Sequence, residues 1–173
     1  ADGTSPHTLE PKYPGAAQET VDLGRFWDKN ILRSQTNAAA IPAEVTVRYG
    51  VTVRRANLRN LPTGEGLFFY ASDRNFDALQ ETALDPGEAV AILHTSTNGY
   101  FYYVQAYNYR GWLSKFDVAE TDRSTWLRYA EPKNFLTVVA KDYTLKADGA
   151  QVLFQQGARL QLADKKASAY TLS

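Results

Sequence analysis

One pattern recurs between residues 45 and 113: short runs with a β-branched or aromatic side chain at every second position, each followed by a turn sequence. In the first run, Val45, Val47 and Tyr49 alternate with Thr46 and Arg48. A period of two places successive side chains on opposite faces of an extended chain, which predicts strands. The predicted strands cover residues 45–53, 89–95, 100–106 and 111–113, and the turn sequences include 62–66, 85–88, 98–99 and 108–110. Several short strands this close together predict an all-β chain built on a small barrel.

Charge balance and hydropathy exclude several classes of protein. Lysine plus arginine number 19 and aspartate plus glutamate 19 among 173 residues, so the basic surplus typical of a nucleic-acid binder is missing. Hydrophobic residues form 44% of the sequence, which is too many for a disordered chain. No apolar run approaches the roughly 20 residues of a membrane span. We therefore expect a folded protein with no nucleic-acid partner and no transmembrane segment.

The chain contains no cysteine, which removes disulfides, thiolate metal sites and cysteine nucleophiles together. Its two histidines, His7 and His94, stand far apart and match neither a metal-binding spacing nor a nucleophile motif. No catalytic residue, metal site or cofactor is therefore predicted. Methionine is absent too, so the chain is expected to be processed, trimmed or a fragment. The small residues at 1–3 are compatible with the end left by a cleaved export signal, which favours an exported protein.

The organisation of the chain follows from where the period-two pattern begins and where it returns. Residues 1–20 carry three prolines and little periodicity, and a short helix is expected over 26–33. A weak internal repeat pairs residues 51–53 with 136–138, 85–92 with 155–162, and 102–104 with 169–172. The second copy has no counterpart of 111–113, so we expect it to be incomplete, with more chain following in the natural protein. The predicted units are an N-terminal arm over 1–44, a first barrel over 45–122, a linker over 123–134 and an incomplete second barrel over 135–173.

Three segments resemble a known family when they are taken in order. They are 57–63 (Asn-Leu-Arg-Asn-Leu-Pro-Thr), 75–80 (Asn-Phe-Asp-Ala-Leu-Gln) and 110–113 (Arg-Gly-Trp-Leu). Together they are similar to the first bacterial SH3 domain (SH3b) of multi-domain NlpC/P60 peptidases. These enzymes are γ-D-glutamyl-L-diamino acid endopeptidases that act on cell-wall peptides. Residues 135–173 look like the opening of the family's second SH3b domain.

The resemblance implies an accessory region, because the family's catalytic domain follows the second SH3b and supplies a cysteine nucleophile and a histidine base. With no cysteine, this chain alone is not expected to be an enzyme; its implied parent is an NlpC/P60 cysteine endopeptidase. The implied partners are a murein peptide and the downstream catalytic domain. The implied location is the periplasm, the cell envelope or the extracellular space.

Asp77 is the first candidate for a substrate contact. In the family, the first SH3b domain lies beside the catalytic cleft and narrows it. A carboxylate there would pair with the free amino terminus of a murein peptide. The alternative is a structural role, in which Asp77 braces its loop or caps a helix over 78–82.

An aromatic cluster supplies the other candidates, since seven rings fall within the thirteen residues 100–112. Alternate rings of a strand face opposite sides, so one set fills the core and the other faces out. The outward rings, with Tyr107 and Tyr109 in the following turn, would form a shelf for peptide or sugar. Tyr109 is the strongest candidate, because it precedes the Gly-Trp strand where the family places a residue facing the cleft. The alternative is that large rings fill a small barrel and the N-terminal arm covers the exposed ones.

The predicted substrate-binding residues are therefore Tyr109, Asp77, Tyr107 and Trp112. The predicted function is that of a non-catalytic region of a murein peptide endopeptidase, whose first SH3b domain shapes the substrate cleft. A stand-alone peptidoglycan-binding SH3b module and a scaffold without a ligand remain as alternatives.

Overall fold

The computed structural model describes residues 6–9, 19–22, 34–68, 75–147, 149–166 and 169–172. Strands dominate these residues, which confirms the predicted all-β class. The strands are β1 (Pro6–Leu9), β2 (Glu19–Asp22), β3 (Arg48–Thr52), β4 (Ala56–Arg59), β5 (Gln80–Leu84), β6 (Ala89–Thr95), β7 (Phe101–Gln105), β8 (Arg110–Ser114), β9 (Val118–Thr121), β10 (Phe135–Thr137), β11 (Asp142–Ala147), β12 (Ala150–Gln155), β13 (Arg159–Lys166) and β14 (Ala169–Leu172). The helical elements in the described part of the chain include two short 3₁₀ turns, Ala38–Ala40 and Lys115–Asp117, and the helix α1 (Arg123–Ala130).

The first unit is one antiparallel sheet with the strand order β5-β4-β8-β7-β6-β3-β9. It folds around a single apolar core, in which Leu58, Ile92 and Leu113 are at most 1% exposed. Burying a side chain of this size stabilises a fold by about 1.5–3 kcal/mol, so these alternating positions hold the sheet in its curled form. The two outer strands of the order do not pair with each other within the described residues, and the barrel is open at that seam.

The predicted strand over 89–95 is present with the same bounds as β6. The runs at 100–106 and 111–113 become β7 and β8, each differing from the prediction by one residue at either end. The turn at 98–99 joins β6 to β7 as a hairpin, and Gly99 supplies its positive φ of 71°. The first strand is shorter than predicted, because pairing with β6 and β9 begins only at Arg48 or Tyr49.

One further strand lies between the turns at 62–66 and 85–88, where the sequence pattern predicted none. This is β5, which pairs with β4 at the end of the sheet. Its sequence, Gln-Glu-Thr-Ala-Leu, buries only Leu84. An edge strand needs one pairing partner and few apolar residues, so its hydropathy pattern is weak.

The N-terminal arm contains an antiparallel ribbon, since β1 pairs with β2. An irregular arm had been expected there; the helix expected over 26–33 lies outside the described residues. The end of the arm contacts the β6–β7 hairpin. Asn37 accepts a hydrogen bond on its carbonyl oxygen from His94 Nε2 (3.1 Å), and Thr97 N–H donates to the carbonyl oxygen of Gln35 (3.0 Å).

Most of the segment predicted as a linker forms the helix α1. Asp122 caps its first turn by accepting a hydrogen bond from Thr125 N–H at 2.9 Å. Trp126 then fixes the helix on the first unit. Its Nε1–H donates to the carbonyl oxygen of Val90 (3.0 Å), and its ring centroid lies 5.2 Å from that of Tyr49.

The second unit repeats the hydrogen bonding of the first. In the first unit, Gly87 N–H donates to the Thr52 carbonyl oxygen (2.7 Å) and Thr52 N–H donates to the Glu88 carbonyl oxygen (3.0 Å). In the second, Gly157 and Val138 take the places of Gly87 and Thr52, at 2.8 Å and 3.0 Å. Both glycines have a positive φ, 85° and 91°. The predicted repeat aligned 51–53 with 136–138, which places Thr52 opposite Thr137. The hydrogen bonds instead make Val138 the equivalent of Thr52, one position later. The shared threonine was therefore a misleading guide to the alignment.

The strands of the second unit form the orders β10-β13-β14 and β11-β12. The pairing of β13 with β14 has a register shift immediately after Leu162. The pairing of β6 with β7 has one at the equivalent position, immediately after Ile92. Within the described residues, β10 and β14 each pair only with β13. A second unit that is incomplete in this chain stays a prediction.

Candidate functional site

Asp77 lies beside a buried arginine at the base of the loop between β4 and β5. Arg59, the last residue of β4, donates from Nη1 to Asp77 Oδ2 at 2.7 Å, and the two side chains are 4% and 13% exposed. A second guanidinium nitrogen donates to the carbonyl oxygen of Glu65. The arginine therefore connects two points of the loop to the sheet.

The other carboxylate oxygen of Asp77 organises the loop backbone. Oδ1 accepts hydrogen bonds from Leu67 N–H (2.9 Å) and from Leu79 N–H (3.0 Å). Residues 78–79 form a turn that leads into β5, so the helix considered for 78–82 is absent. This geometry is that of a loop brace, the structural alternative raised by the sequence. A contact between Asp77 and substrate stays a prediction.

Trp112 is buried in β8 and is 5% exposed. Its ring packs against Tyr103 at a centroid distance of 5.1 Å and against His94 at 6.3 Å. Both neighbours belong to the β6–β7 hairpin, which the end of the arm contacts. Trp112 is thus a packing residue of the first unit, and its role in substrate binding stays a prediction.

Tyr107 and Tyr109 lie in the turn between β7 and β8, with 80% and 44% of their surfaces exposed. A hydrogen bond from Ala106 N–H to the Tyr109 carbonyl oxygen (2.8 Å) closes the turn, and Gln105 Nε2 donates to the same oxygen (3.1 Å). Both rings are thus presented on a well-ordered turn, as a shelf would require.

Two adjoining cavities lie where the first unit, α1 and the second unit meet. The larger has a volume of about 510 Å³ and the smaller about 380 Å³. Of the four predicted site residues, only Tyr107 lines either cavity, and it lines the larger one. The structure therefore does not bring Tyr107, Tyr109, Asp77 and Trp112 together in either of these cavities.

Glu88 contributes a carboxyl group to the first-unit side of the larger cavity. Burial, and then the negative charge of Asp85, raise the pKa of its carboxyl above the ordinary value, while the charge of Arg159 opposes that shift. Glu88 and Arg159 lie in different units, so no local motif could have indicated that they line one cavity.

Within the residues that the structure describes, no group of three acidic or histidine side chains is placed to hold a metal ion. Nor does any helix in that part of the chain have the length and apolar character needed to cross a membrane.

Comparisons with known proteins define the class of domain. Residues 67–114 match the family model of an SH3 domain of the SH3b1 type. This part of the first unit is therefore similar to an SH3 domain of the SH3b1 type, in agreement with the resemblance drawn from its motifs. Among curated proteins, none matches the sequence significantly.

A solved structure extends this likeness to the whole chain. It is described as a novel NlpC/P60 endopeptidase from Photobacterium damselae subsp. piscicida; the match has a TM-score of 0.64 with 18% sequence identity. It covers 100% of this chain and 46% of that one, so the present chain spans less than half of the endopeptidase. At the level of fold, the predicted likeness to the SH3b region of an NlpC/P60 cell-wall peptidase is confirmed.

Proposed function

We propose that this chain is the non-catalytic SH3b region of an NlpC/P60-type cell-wall peptidase, and that its first unit shapes the substrate cleft. The observation that carries the proposal is the fold match, since an NlpC/P60 endopeptidase contains the same arrangement along the full length of this chain. The match of 67–114 to the SH3b1 type supports it independently. The 173 residues hold no cysteine, so a thiolate nucleophile belongs to another part of the protein.

The surface proposed to face the cleft is the turn that carries Tyr107 and Tyr109. Exposed tyrosines on an ordered turn offer an apolar ring and a hydroxyl to a peptide at little cost in side-chain entropy. Asp77 lies at the base of another loop of the same unit and is proposed to act with the tyrosines, through the position of that loop. The substrate class is a murein peptide, and the partner is the catalytic domain. We place the protein in the cell envelope or outside the cell.

The test is peptidase activity of the natural protein that carries this chain, assayed on a murein peptide with a γ-D-glutamyl-diamino acid bond. Tyr109→Ala is expected to lower kcat/KM by about tenfold. This is the loss typical of an aromatic ring that substrate covers on binding and that contributes more than about 1 kcal/mol. The matched control is Tyr143→Ala on β11, because Tyr143 is 47% exposed and Tyr109 is 44% exposed. Absence of hydrolysis in the natural protein, or equal kcat/KM for both variants, would overturn the proposal.

The second candidate is a peptidoglycan-binding module that works without a catalytic domain. Its support is the exposed shelf, which needs no neighbouring domain to present its rings. It predicts that the 173-residue chain sediments with purified sacculi and that Tyr107→Ala weakens this binding. A chain that stays in the supernatant, while the natural protein cleaves its peptide, excludes this second candidate.

A further inference from the structure

The two cavities at the meeting point of the units form one groove, because they share four lining residues. These are Gly87, Tyr129, Arg159 and Gln161. We call this surface the junction groove. It lies between the 85–88 turn of the first unit, α1 and the start of β13. Its larger cavity, about 510 Å³, falls within the range of small-molecule and peptide sites.

Two opposite charges line the larger cavity without pairing. Within the described residues, Glu88 and Arg159 form no salt bridge, and the Glu88 side chain makes no hydrogen bond. Arg159 instead places its guanidinium 5.0 Å from the centroid of the Phe135 ring. The two side chains nevertheless sense each other, since the positive charge of Arg159 acts on the titration of Glu88. Their charged groups therefore line the same cavity without an ion pair between them among the described residues.

The remaining wall is aromatic and apolar. Trp126, Tyr129 and Tyr107 contribute rings, and Ala89 and Ala91 contribute small side chains that leave room between them. Trp126 is held rigidly by its hydrogen bond to Val90, so this wall exists before any ligand arrives. Rings beside a carboxylate favour an ammonium group, through the ring quadrupole and direct ion pairing.

We propose that the junction groove binds a short peptide with a free ammonium and a free carboxylate, the ammonium at Glu88 and the carboxylate at Arg159. A zwitterion fills the gap that separates the two side chains and satisfies both of them. A ligand with one charge would offer a charge-assisted hydrogen bond to only one of the two side chains. The apolar wall accommodates the body of the peptide. Tyr107 borders both the junction groove and the turn proposed to face the cleft, but this inference does not depend on the proposed function, because it needs no catalytic domain.

The test uses tri-alanine as the probe and the full chain labelled with 5-fluorotryptophan. The sequence contains three tryptophans, so the fluorine NMR spectrum has few signals, and Trp126→Phe and Trp112→Phe identify two of them. Titration is expected to shift the Trp126 signal to saturation and to leave the Trp112 signal in place. Glu88→Gln and Arg159→Gln are each expected to weaken binding by about tenfold, the value of one charge-assisted hydrogen bond. Glu88→Asp keeps the charge and is expected to retain part of the affinity.

Matched controls separate a site from a general charge effect. Glu81→Gln on β5 and Arg123→Gln at the start of α1 remove the same charges away from the groove and are expected to bind tri-alanine as the parent chain does. N-acetyl-tri-alanine amide, which carries neither charge, is expected not to shift the Trp126 signal. The proposal is overturned if tri-alanine leaves the Trp126 signal unmoved, if the blocked peptide binds equally well, or if Glu88→Gln and Arg159→Gln bind like the controls. None of these results bears on the activity of the Tyr109→Ala variant, so the two proposals fail separately.

Discussion

Arg59 and Asp77 form a buried ion pair that joins the end of β4 to the loop before β5. The contact from Nη1 to Oδ2 is 2.7 Å, and the arginine side chain is 4% exposed. Asp77 also holds two backbone N–H groups of the loop, whereas the buried Arg59 Nε has no hydrogen-bond partner among the residues that the structure describes. The sequence presents these residues in two separate motifs of the SH3b resemblance, and the fold makes them one structural unit.

Breaking this pair from one side is expected to be costly. Asp77→Asn removes the charge that compensates Arg59, and we expect a loss of about 3–5 kcal/mol in the free energy of unfolding. Urea denaturation measures it. Asp117→Asn is the control, because the Arg54–Asp117 contact is long (3.4 Å) and exposed on the arginine side, and we expect less than about 1 kcal/mol there. Equal losses for the two variants would contradict the brace.

Gly111 is expected to be essential for the approach of β8 to β4. A Cβ at this position would lie 2.6 Å from the Arg59 carbonyl oxygen, and backbone atoms cannot move aside as a flexible side chain can. Gly111→Ala should therefore destabilise the first unit by about 1–3 kcal/mol or more, as overpacking does. Gly64→Ala is the comparison, since a Cβ there meets no atom within 4 Å. The same urea titration should give a neutral or slightly stabilising effect for Gly64→Ala, and a similar loss at both glycines would refute the close approach.

Asp122 and Asp117 are expected to titrate on opposite sides of the ordinary aspartate pKa of 3.8. Hydrogen bonds from Ser124 and Thr125 hold the pKa of Asp122 well below that value. Its contribution to stability is thus present above pH 3.8 and is lost as the pH falls towards the folded-state pKa. Burial raises the pKa of Asp117, so the protonated form favours folding and that contribution is lost as the pH rises through the folded-state pKa. Carboxyl carbon shifts followed by NMR report both midpoints, and coincident midpoints would contradict the two environments.

Asp85 is expected to couple the two units. Its Oδ1 accepts from Arg55 Nη1 at 2.9 Å and from Gln155 N–H at 3.4 Å, and Gln155 belongs to β12 of the second unit. Asp85→Ala should speed hydrogen exchange at the Gln155 amide, while the core amide of Ile92 keeps its protection. Unchanged exchange at Gln155 would show that the contact carries no stabilisation. Glu81→Ala, which removes a carboxylate from an exposed part of β5, serves as the control.

The strands with regular alternation could be predicted because neighbouring residues of the sequence are enough to show the period of two. Residues 89–95 alternate buried and half-buried side chains over most of their length, and the same bounds appear as β6. The repeat was recognisable for the same reason, since Gly87 and Gly157 mark equivalent turns with positive φ. The edge strand β5 was missed because a strand paired on one side needs few apolar residues.

The candidate site was predicted less completely, for a physical reason. Exposure of Tyr107 and Tyr109 follows from their position in a turn, so the chain sequence indicated it. That Trp112 is covered by Tyr103 and His94, and that Asp77 is engaged by Arg59, depends on which strands lie side by side. Side chains distant in the sequence meet only after the sheet has folded around its core. The class of fold is thus encoded in local periodicity and turn residues, whereas the ion pair at Asp77 and the shared cavity of Glu88 and Arg159 arise from long-range packing, which no local pattern records.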